Sequence, residues 1–555
     1  LTSLSSIPID SDNSGYSYGT VEVDFDENGI ASLAMLNYPD AGSIRLTASA
    51  VIDSVTFNTA DNGQPIDVYP SYLQLSVNET ELLYASIGVQ NNYKAGAPFT
   101  LSIGAYGVNN ALLPNYQAEN PQIKITRIQP VASLAKDGTV AYSNTGKISS
   151  GTSANFVTAL SLRSDQNTDP IFSDGEYSYA DAYYDEVGRI EIDIKDYNYL
   201  GNEITSDSSL VLGDFYPAYF DITVSDIPTL ANTSGVFSYI GEPIGFATAP
   251  KFIITAYNAL DEITENYSDT YWSYQPDEPS LEAHLSYVDS STYTSTGTAS
   301  EIDLGDTPIV TNNVNYDGAG IVTINNGEFQ YNKIDTDNSI FDLVSPFDGS
   351  IDLVFASDFF TATFIGQTSN GQVSSNTICF KDNYASANCN SLSIKNVIGT
   401  ELRYGRLTLP STYGPETEPL VVPIRAEYYD TSQWLLNTDD NHTSIDFDKS
   451  ANHLALLPSG STDITGNIGN IFSTGKLLLG VANSSTDFLL NAPNTIGEVK
   501  LQLDPSNDPT GWSDYLNYDW NGDGFINAGD RPEATITFGL FRGNDRIIHW
   551  REVFD

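Results

Sequence analysis

Residues 188–194 read Gly-Arg-Ile-Glu-Ile-Asp-Ile, and this stretch carries the pattern that decides the fold. In an extended strand, Ile190, Ile192 and Ile194 share one face and the charged residues between them share the other. Similar runs, rich in Val, Ile, Tyr, Phe and Thr and separated by Asn-Gly, Asp-Gly and Asp-Asn turns, fill the chain, whereas helical periodicity is almost absent. The sequence therefore predicts an all-β protein, made of tandem Ig-like antiparallel β-sandwich domains.

Three sequence signals recur along the chain. A glycine followed by alternating apolar residues occurs at Gly42, Gly188, Gly349 and Gly497. A Tyr-Pro dipeptide that leads into a strand occurs at residues 69–77 and 216–224, with a looser copy at 402–409. A longer strand-turn segment occurs at residues 97–116, 247–267 and 419–437. Because the three signals keep the same order at similar spacing, we infer that one sandwich-sized unit was duplicated.

This repeat divides the chain. The predicted parts are residues 1–58, the C-terminal half of an Ig-like sandwich; residues 66–203, 213–361 and 395–505, three complete Ig-like sandwiches; residues 362–394, a connector with Cys379 and Cys389; and residues 506–555, a C-terminal calcium loop with closing strands.

The first unit is expected to be incomplete, because residues 1–58 match only the closing half of the repeat. The chain opens at Leu1 without a signal peptide, which predicts a processed product or a fragment. An upstream segment or a strand from a neighbouring chain is then expected to cover the apolar face of this unit. The residues of that face are Val21, Val23, Phe25, Ile44 and Leu46.

The charge of the chain excludes several classes of function. Of its 555 residues, 72 are acidic and 23 are Lys or Arg, which gives a net charge of −49. Such a surface repels phosphate backbones and anionic lipids, so neither nucleic acid nor membrane insertion is expected. Hydrophobic residues make up 40% of the chain, enough to bury the cores of several domains.

Cys379 and Cys389 enclose a segment with a turn-like Lys-Asp-Asn-Tyr sequence. A disulfide can close such a loop, and a chain with one Met also suits an oxidising exterior. The alternative is two unrelated buried thiols. We expect the disulfide.

Residues 519–530 (DWNGDGFINAGD) form the sharpest motif of the chain. Their oxygen-bearing positions and the glycine at position 6 match the spacing of an EF-hand calcium loop. The loop resembles those of dockerins, but Pro532 and a strand follow it and only one loop is present. We therefore expect Ca²⁺ binding without cohesin docking; the alternative is a solvated turn. The predicted ligands are Asp519, Asn521, Asp523, the carbonyl of Phe525, Asn527 and Asp530.

No catalytic constellation stands out, and the chain is predicted not to be an enzyme. His442 and His453 lie near several aspartates, but in so acidic a chain this proximity is expected by chance at the surface. Residues 437–448 (NTDDNHTSIDFD) could form a second cation site, although they show no fixed ligand spacing.

The C-terminal stretch is rich in arginine. Residues 541–554 (FRGNDRIIHWREVF) alternate apolar and polar side chains. We expect a last strand whose arginines pair with acidic neighbours; the alternative is a strand that binds another chain. The arginines are Arg531, Arg542, Arg546 and Arg551.

These motifs resemble the MshQ proteins of the mannose-sensitive haemagglutinin (MSHA) type IV pilus system of Gram-negative bacteria. The resemblance rests on residues 239–267, 402–430, 434–440 (WLLNTDD), 518–524 (YDWNGDG) and 541–554. Family members often have a Cys shortly after the NTDD, but Asn441, His442 and Thr443 follow here, so that disulfide is not expected. The resemblance implies an exported, pilus-associated surface protein, and it transfers no catalytic residue.

The sequence thus predicts an extracellular protein, on the surface or pilus of a Gram-negative bacterium, whose rigid calcium-braced sandwiches act in adhesion or pilus assembly. The expected partners are other pilus or surface proteins, with copies of the chain itself as one alternative. A second hypothesis is a structural filament subunit completed by strand exchange between chains. A third is a polysaccharide-acting enzyme, which would need two facing carboxylates in a cleft.

Overall fold

The computed structural model is nearly all β, with 51% of the residues in strands and 3% in helix, which confirms the predicted fold class. The structure describes residues 2–8, 20–23, 26–28, 30, 32, 38–52, 54–58, 65–79, 82–83, 92–163, 171–268, 271–274, 285–289, 302–304, 309–314, 319–325, 328–333, 343–365, 375–446, 448, 451–469, 474–482, 488–527 and 529–539. We refer to residues 2–68, 72–216, 219–403 and 405–539 as the first to fourth units.

In its described residues, the first unit is one five-stranded sheet with order β2-β1-β3-β4 and with β5 also paired to β3. Its strands are β1 (Thr2–Pro8), β2 (Thr20–Val23), β3 (Gly42–Ile52), β4 (Val55–Asn58) and β5 (Pro65–Val68). Ile44 is buried, whereas Val55 and Phe57 are more than half exposed. Phe25 and the side chains of Val21, Val23 and Leu46 lie outside the described part of the molecule, so the cover of this face stays a prediction.

The second unit is a sandwich of two sheets, with orders β11-β10-β13-β8-β6 and β12-β9-β14-β16-β7 and with β15 paired to β14. Its strands are β6 (Tyr72–Val77), β7 (Tyr93–Lys94), β8 (Phe99–Tyr106), β9 (Pro121–Gln129), β10 (Thr139–Ala141), β11 (Lys147–Ser149), β12 (Val157–Thr158), β13 (Glu176–Tyr184), β14 (Gly188–Tyr199), β15 (Asn202–Thr205) and β16 (Leu210–Tyr216). A 3-10 turn covers Leu160–Leu162. Ile190, Ile192 and Ile194 are buried in its core, as their alternation predicts.

The described residues of the third unit form three four-stranded sheets, with orders β17-β21-β25-β24, β18-β20-β26-β23 and β19-β30-β27-β22, and the hairpin β28-β29. Its strands are β17 (Tyr219–Asp226), β18 (Thr229–Leu230), β19 (Phe237–Tyr239), β20 (Pro243–Thr248), β21 (Lys251–Tyr257), β22 (Leu285–Asp289), β23 (Ile302–Leu304), β24 (Ile309–Val314), β25 (Ala319–Asn325), β26 (Glu328–Tyr331), β27 (Phe347–Phe355), β28 (Thr361–Ile365), β29 (Ser375–Cys379) and β30 (Leu392–Arg403).

The described residues of 362–394, a stretch that the sequence predicted as a connector, are part of this third unit. They contain most of the β28-β29 hairpin and the start of β30, and β30 pairs along β27 from Leu392 to Leu402. Their Asn-, Asp- and Ser-rich composition resembles that of a linker because the stretch between β29 and β30 is a turn, and these residue types favour turns.

The fourth unit has sheets with orders β31-β34-β39-β38-β36 and β32-β42-β41-β37, with β35 paired to β34, and a short pair β33-β40. Its elements are β31 (Gly405–Thr408), β32 (Thr412–Gly414), β33 (Leu420–Val421), β34 (Arg425–Asp430), β35 (Gln433–Leu436), β36 (Ser444–Asp446), β37 (Leu454–Ser459), β38 (Thr474–Leu478), β39 (Val481–Ala482), β40 (Leu489–Leu490), β41 (Gly497–Leu503), the helix α1 (Trp512–Leu516) and β42 (Glu533–Phe538). A 3-10 turn covers Pro505–Asn507. Because β42 pairs with β41, this strand after residue 505 belongs to the same sandwich.

The repeat seen in the sequence is also a repeat of contacts. In the second unit Tyr72 stacks on Tyr106 across β6 and β8, with ring centroids 5.3 Å apart, and its hydroxyl donates to Asn110 Oδ1. Tyr219, Tyr257 and Asp261 form the same arrangement in the third unit. The acceptor residues both have left-handed backbone, with φ of 59° and 61°, a conformation that Asn and Asp tolerate well. The Tyr-Pro signal therefore marks equivalent strands in the two units.

Candidate metal centre

The loop of residues 519–530 lies between α1 and β42, and the core of the fourth unit holds both of its ends. Trp512 and Leu516 on α1 are buried, as are Ile536 and Phe538 on β42. The two glycines that make the sharp turn, Gly522 and Gly524, have φ of 77° and 88°, which favours glycine at both positions. The loop is thus fixed at both ends and turned by residues suited to the turn.

Three carboxylates converge inside this loop. Asp519, Asp523 and Asp530 each offer an oxygen, and these oxygens lie within 4.8 Å of one another. Asp530 is 0% exposed and Asp519 is 9% exposed, whereas Asp523 faces solvent. Like charges at this separation repel by roughly 1–4 kcal/mol per pair, depending on how much water screens them. A bound cation would remove that repulsion.

Backbone amides of the loop orient the two buried carboxylates. Asp519 accepts hydrogen bonds from the amides of Gly522, Asp523 and Gly524, at 2.6, 3.1 and 2.8 Å. Asp530 accepts hydrogen bonds from the amides of Trp520, Asn521 and Asn527, at 3.1, 3.2 and 2.9 Å. These hydrogen bonds join residues up to 10 positions apart along the chain, and all of them lie within the loop, so the geometry of the loop does not depend on a distant partner.

The donor set fits a hard cation. In the described part of the chain, only Asp519, Asp523 and Asp530 bring three possible ligand atoms from His, Cys, Asp or Glu so close together. No Lys, Arg or His ion pair to these carboxylates occurs among the described residues. Because every predicted ligand offers oxygen, the loop suits Ca²⁺ better than Zn²⁺.

The remaining predicted ligands lie on the same loop, but they make local contacts. The side-chain oxygen of Asn521 accepts from the amide of Asp523 at 2.8 Å, and that of Asn527 accepts from Gly529 at 2.8 Å. Phe525 is 42% exposed, and its predicted ligand is the backbone carbonyl. Completing a shell of six or more oxygens requires the two amide side chains to turn inward.

The second candidate cation segment, residues 437–448, is organised differently. Asp440 is completely buried, and its oxygens accept hydrogen bonds from the amides of His442 and Thr443, the Thr443 hydroxyl and the Tyr239 hydroxyl. The carboxylate of Asp440 therefore accepts hydrogen bonds that fix the turn after β35, and one that joins this turn to Tyr239 of the third unit. Hydrogen bonding explains the run of polar residues without a metal.

His442 also differs from the surface residue that the sequence predicted. Its Nε2 lies 3.0 Å from Oε1 of Glu242, and its Nδ1 lies 3.3 Å from Oδ1 of Asp440 without hydrogen-bond geometry. Burial lowers the pKa of His442, but the two carboxylates outweigh it and raise the pKa to about 9. The imidazole is therefore a cation at neutral pH. His453 forms a simpler pair with Asp446, at 3.3 Å.

The contacts of Tyr239 and His442 belong to what we call the third–fourth joint. Strand β19 pairs in parallel with the end of β30, yet Phe237 and Tyr239 are fully buried in the hydrophobic core of the fourth unit. The hydroxyl of Tyr239 donates to Asp440 at 3.0 Å and accepts from the side-chain amide of Asn437 at 2.7 Å. One strand of the third unit thus completes the core of the next unit.

Arg403, the last residue of β30, adds charge to this joint. Its guanidinium donates to Glu401 and to Asn437, at 2.8 and 2.6 Å, and lies 2.9 Å from Asp439. It also stacks over the ring of Phe237, 4.4 Å from the centroid. Sequence reasoning missed Glu242 and Arg403, because their partners lie far along the chain or have no motif spacing.

Cys379 and Cys389 are joined by a disulfide, with their Cα atoms 5.7 Å apart. Two backbone amides of the loop that it closes donate hydrogen bonds to other parts of the third unit. The amide of Lys381 donates to the carbonyl of Phe220, and the amide of Tyr384 donates to Oδ1 of Asp261, both at 2.9 Å. The disulfide therefore holds a loop against strand β17 and its tyrosine pair.

Of the four C-terminal arginines, Arg531 lies in the described part of the chain and forms an ion pair with Asp504 at 2.9 Å. Arg542, Arg546 and Arg551 lie outside the described residues, so the role of the C-terminal strand stays a prediction. Within the described residues, no helix has both the length and the apolar character needed to cross a membrane.

Comparison with solved structures gives distant similarities to proteins built from β-domains. The chain is 10% identical to the Escherichia coli adhesin FdeC, covering 85% of this chain and 98% of that one, with a TM-score of 0.25. It is 11% identical to invasin, a bacterial integrin-binding protein, covering 84% of this chain and 60% of that one, with a TM-score of 0.18. For zebrafish RET cadherin-like domains 1 to 4 the identity is 9%, the coverages are 91% and 85%, and the TM-score is 0.23.

TM-scores this low carry no argument about what the chain does. No curated protein matches the chain.

Family profiles give a firmer assignment. Residues 3–66 match a domain described as a domain of unknown function (DUF6701), first Ig-like domain. Residues 186–392 match the third domain of DUF6701, and residues 403–553 match its fourth domain. The matches follow the order of the chain, cover more than half of it, and confirm the Ig-like assignment for the first unit. The chain therefore belongs to the DUF6701 family.

Proposed function

We propose that this chain is an exported, pilus-associated cell-surface protein, in which rigid, calcium-braced β-sandwiches in series act in adhesion or pilus assembly. The observation that carries the proposal is the third–fourth joint, where Tyr239 of one unit is buried in the core of the next. A chain with such joints can hold its two ends apart, which is the mechanical requirement for presenting or anchoring a partner.

The second and third units are also fixed to each other. Glu186 accepts hydrogen bonds from the amides of Glu265 and Asn266, at 2.8 and 3.1 Å. Asn258 donates its side-chain amide to the carbonyl of Asp185, and the amide of Lys136 donates to Oδ1 of Asn266 at 2.7 Å. Directed hydrogen bonds across both junctions support a stiff array better than a chain of freely jointed domains.

Three of the segments that carry the resemblance to MshQ proteins contribute residues to the third–fourth joint. The segment 239–267 contributes Tyr239 and Glu242, and the segment 402–430 contributes Arg403. The stretch WLLNTDD ends on Asp440, and YDWNGDG contains the first half of the metal loop. Four of the five shared motifs therefore contain residues of the joint or of the loop, and this supports an architectural role of the MshQ kind.

Calcium is the brace in this proposal. A cation held by Asp519, Asp523 and Asp530 would offset the repulsion of three converging carboxylates and would clamp α1 to β42. We assign the ligands Asn521, Asn527 and the Phe525 carbonyl to the same shell. The test is calorimetric titration of the chelator-treated protein with CaCl₂, in parallel with MgCl₂; an absence of saturable calcium heat would contradict this part of the proposal.

The cellular part of the proposal requires a test in the bacterium that makes the protein. We expect protease shaving of intact cells to remove the protein from the surface, and deletion of its gene to lower the number of assembled pili or the adhesion of cells. Complementation with the intact gene is the control. A protein confined to the cell interior, or unchanged pili together with unchanged adhesion, would contradict it.

One observation favours the filament subunit as a second candidate. In the first unit Val55 and Phe57 on β4 are 54% and 55% exposed, an unusual position for two apolar residues on one short strand. A neighbouring chain that pairs with this unit would cover them. Light scattering distinguishes the candidates, because a filament subunit should form concentration-dependent oligomers that Val55→Ser with Phe57→Ser abolishes.

A further inference from the structure

Lys333 is a buried cation whose partners all come from another unit. It follows β26 in the third unit and is 4% exposed. Its ammonium donates to the carbonyls of Gly405, Tyr515 and Asn517, at 2.5, 2.8 and 2.6 Å. A lysine has three N–H donors, so the three carbonyls satisfy it completely. All three carbonyls belong to the fourth unit.

The surroundings of Lys333 leave little room for an alternative arrangement. The ammonium also lies over the ring of Tyr404, 4.8 Å from its centroid. The backbones of the two units touch nearby, because a Cβ added at Gly241 would lie 2.4 Å from the carbonyl oxygen of Asp514. Burial lowers the pKa of Lys333, since a charge without water is costly, and the three carbonyl dipoles favour the charged form in return.

Two of these carbonyls lie just before the metal loop. Tyr515 is on α1, and Asn517 is two positions before Asp519, the first predicted ligand. Asn517 is itself buried, and its side-chain oxygen accepts from the amide of Tyr518 at 2.9 Å. Residues 515–519 are therefore held by the third unit on one side and by the loop carboxylate on the other.

We propose that Lys333 locks the third and fourth units into one rigid body, and that a cation in the 519–530 loop tightens this lock through residues 515–519. The lock is inferred from the hydrogen bonds of Lys333 alone. The effect of the cation on the lock rests on the proposed function, because it requires calcium binding in the loop. The ammonium is suited to this task because it can be satisfied only when β31, α1 and the stretch after α1 are all in place.

The first test uses the unaltered protein and an amine-acetylating reagent, with modification of each lysine followed by peptide mass spectrometry. Lys395, which is exposed on β30, is the internal reference. We expect Lys333 to react roughly 100-fold more slowly than Lys395, because it reacts only when the joint opens. Equal reactivity of the two lysines would overturn the lock. Removal of calcium should raise the reactivity of Lys333 roughly tenfold and leave Lys395 unchanged.

The second test measures rigidity between the units. Spin labels at Thr223→Cys on β17 and Ser461→Cys after β37 report the distance across the joint, and both positions are exposed. We expect a narrow distance distribution in the parent protein and a broad one in Lys333→Met, with Lys395→Met as the matched control. A distribution of the same width in Lys333→Met would overturn the lock; if that variant does not fold, the acetylation rates decide.

Failure of the coupling and failure of calcium binding give different results. If calorimetry shows that CaCl₂ binds but the reactivity of Lys333 does not change, the proposed coupling between the loop and Lys333 is wrong. The proposal that the loop binds calcium is then unaffected. If CaCl₂ does not bind at all, the calcium part of the proposed function is wrong, and so is the tightening. The lock itself is then decided by the parent acetylation rates and by Lys333→Met.

Discussion

Nε2 of His442 lies 3.0 Å from Oε1 of Glu242, a residue 200 positions earlier in the chain. The imidazole is enclosed by Glu242, by Asp440 and by the rings of Phe237, Tyr239 and Tyr515. Burial alone would lower the pKa of His442, yet the two carboxylates raise it to about 9. The ion pair therefore holds the third and fourth units together while His442 is protonated.

The stability of the third–fourth joint should fall as the pH rises through about 9. A histidine whose folded pKa is raised from 6.5 contributes fully below 6.5, and the contribution is lost as the pH passes the folded value. Because His442 is partly accessible to solvent, we expect its protonation to contribute about 1–3 kcal/mol to the free energy of unfolding. Urea unfolding of the parent protein and His442→Gln should differ at pH 6.5 and converge by pH 10. His453→Gln is the control; a constant difference across this range would contradict the assignment.

Removing one hydroxyl should weaken the same joint. Tyr239→Phe leaves the ring in the core but takes away the donor to Asp440 and the acceptor for Asn437. Because both partners are completely buried, we expect a loss of about 1–3 kcal/mol in the free energy of unfolding. Tyr413→Phe, on a half-exposed ring of β32, is the control and should change little. An equal effect of the two substitutions would show that the buried hydroxyl has no special role.

Calcium should stabilise the fourth unit through Asp530. At free calcium about 100-fold above its dissociation constant, a ligand that binds only the folded state contributes about 2.7 kcal/mol. We expect Asp530→Asn to weaken binding by roughly tenfold or more, because a buried charged ligand becomes neutral. Phe525→Ala should bind normally, since its predicted ligand is the carbonyl. Scanning calorimetry with calcium and with chelator measures both effects; a chelator-independent transition of the parent protein would refute the brace.

The Cys379–Cys389 disulfide should stabilise the third unit. For a loop of this length, the loss of chain entropy in the unfolded state contributes about 2–3 kcal/mol. Intact mass after alkylation without reductant should show no modified thiol. Cys379→Ser with Cys389→Ser should lower the unfolding temperature, and reductant should have no further effect on that variant. Two alkylated thiols in the untreated protein would contradict the disulfide.

Much of the fold could be predicted because its signals are local. The alternation at Ile190, Ile192 and Ile194 needs only seven residues to indicate which face is buried. The tyrosine pairs of the second and third units, centred on Tyr72 and Tyr219, were visible as a repeat because duplication copied both strands together. The metal loop has fixed ligand spacing, so the convergence of its carboxylates followed from one short motif.

The joint could not be predicted because its contacts join distant parts of the chain. Tyr239 and Asp440 are separated by 201 positions, and neither has a neighbour that signals the other. His442 lies in a run of acidic residues, where chance explains a nearby aspartate equally well. Lys333 is one of 23 basic residues, and its burial follows only from the three-dimensional arrangement of β31 and α1. When the hydrogen-bond acceptors of a buried charge are distant in the sequence, no local sequence pattern indicates that the charge is buried.

The position of β19 has a consequence for the order of events during synthesis. Domains generally fold as they emerge, starting from the N-terminus. The sheets of the third unit need nothing beyond Arg403, but Phe237 and Tyr239 find their core only after β42 has been made, some 300 residues after β19. A growing chain therefore carries two uncovered aromatic side chains through a long interval of translation. Strand β19, with Phe237 and Tyr239, is therefore a segment that a chaperone for exposed apolar residues would bind during synthesis.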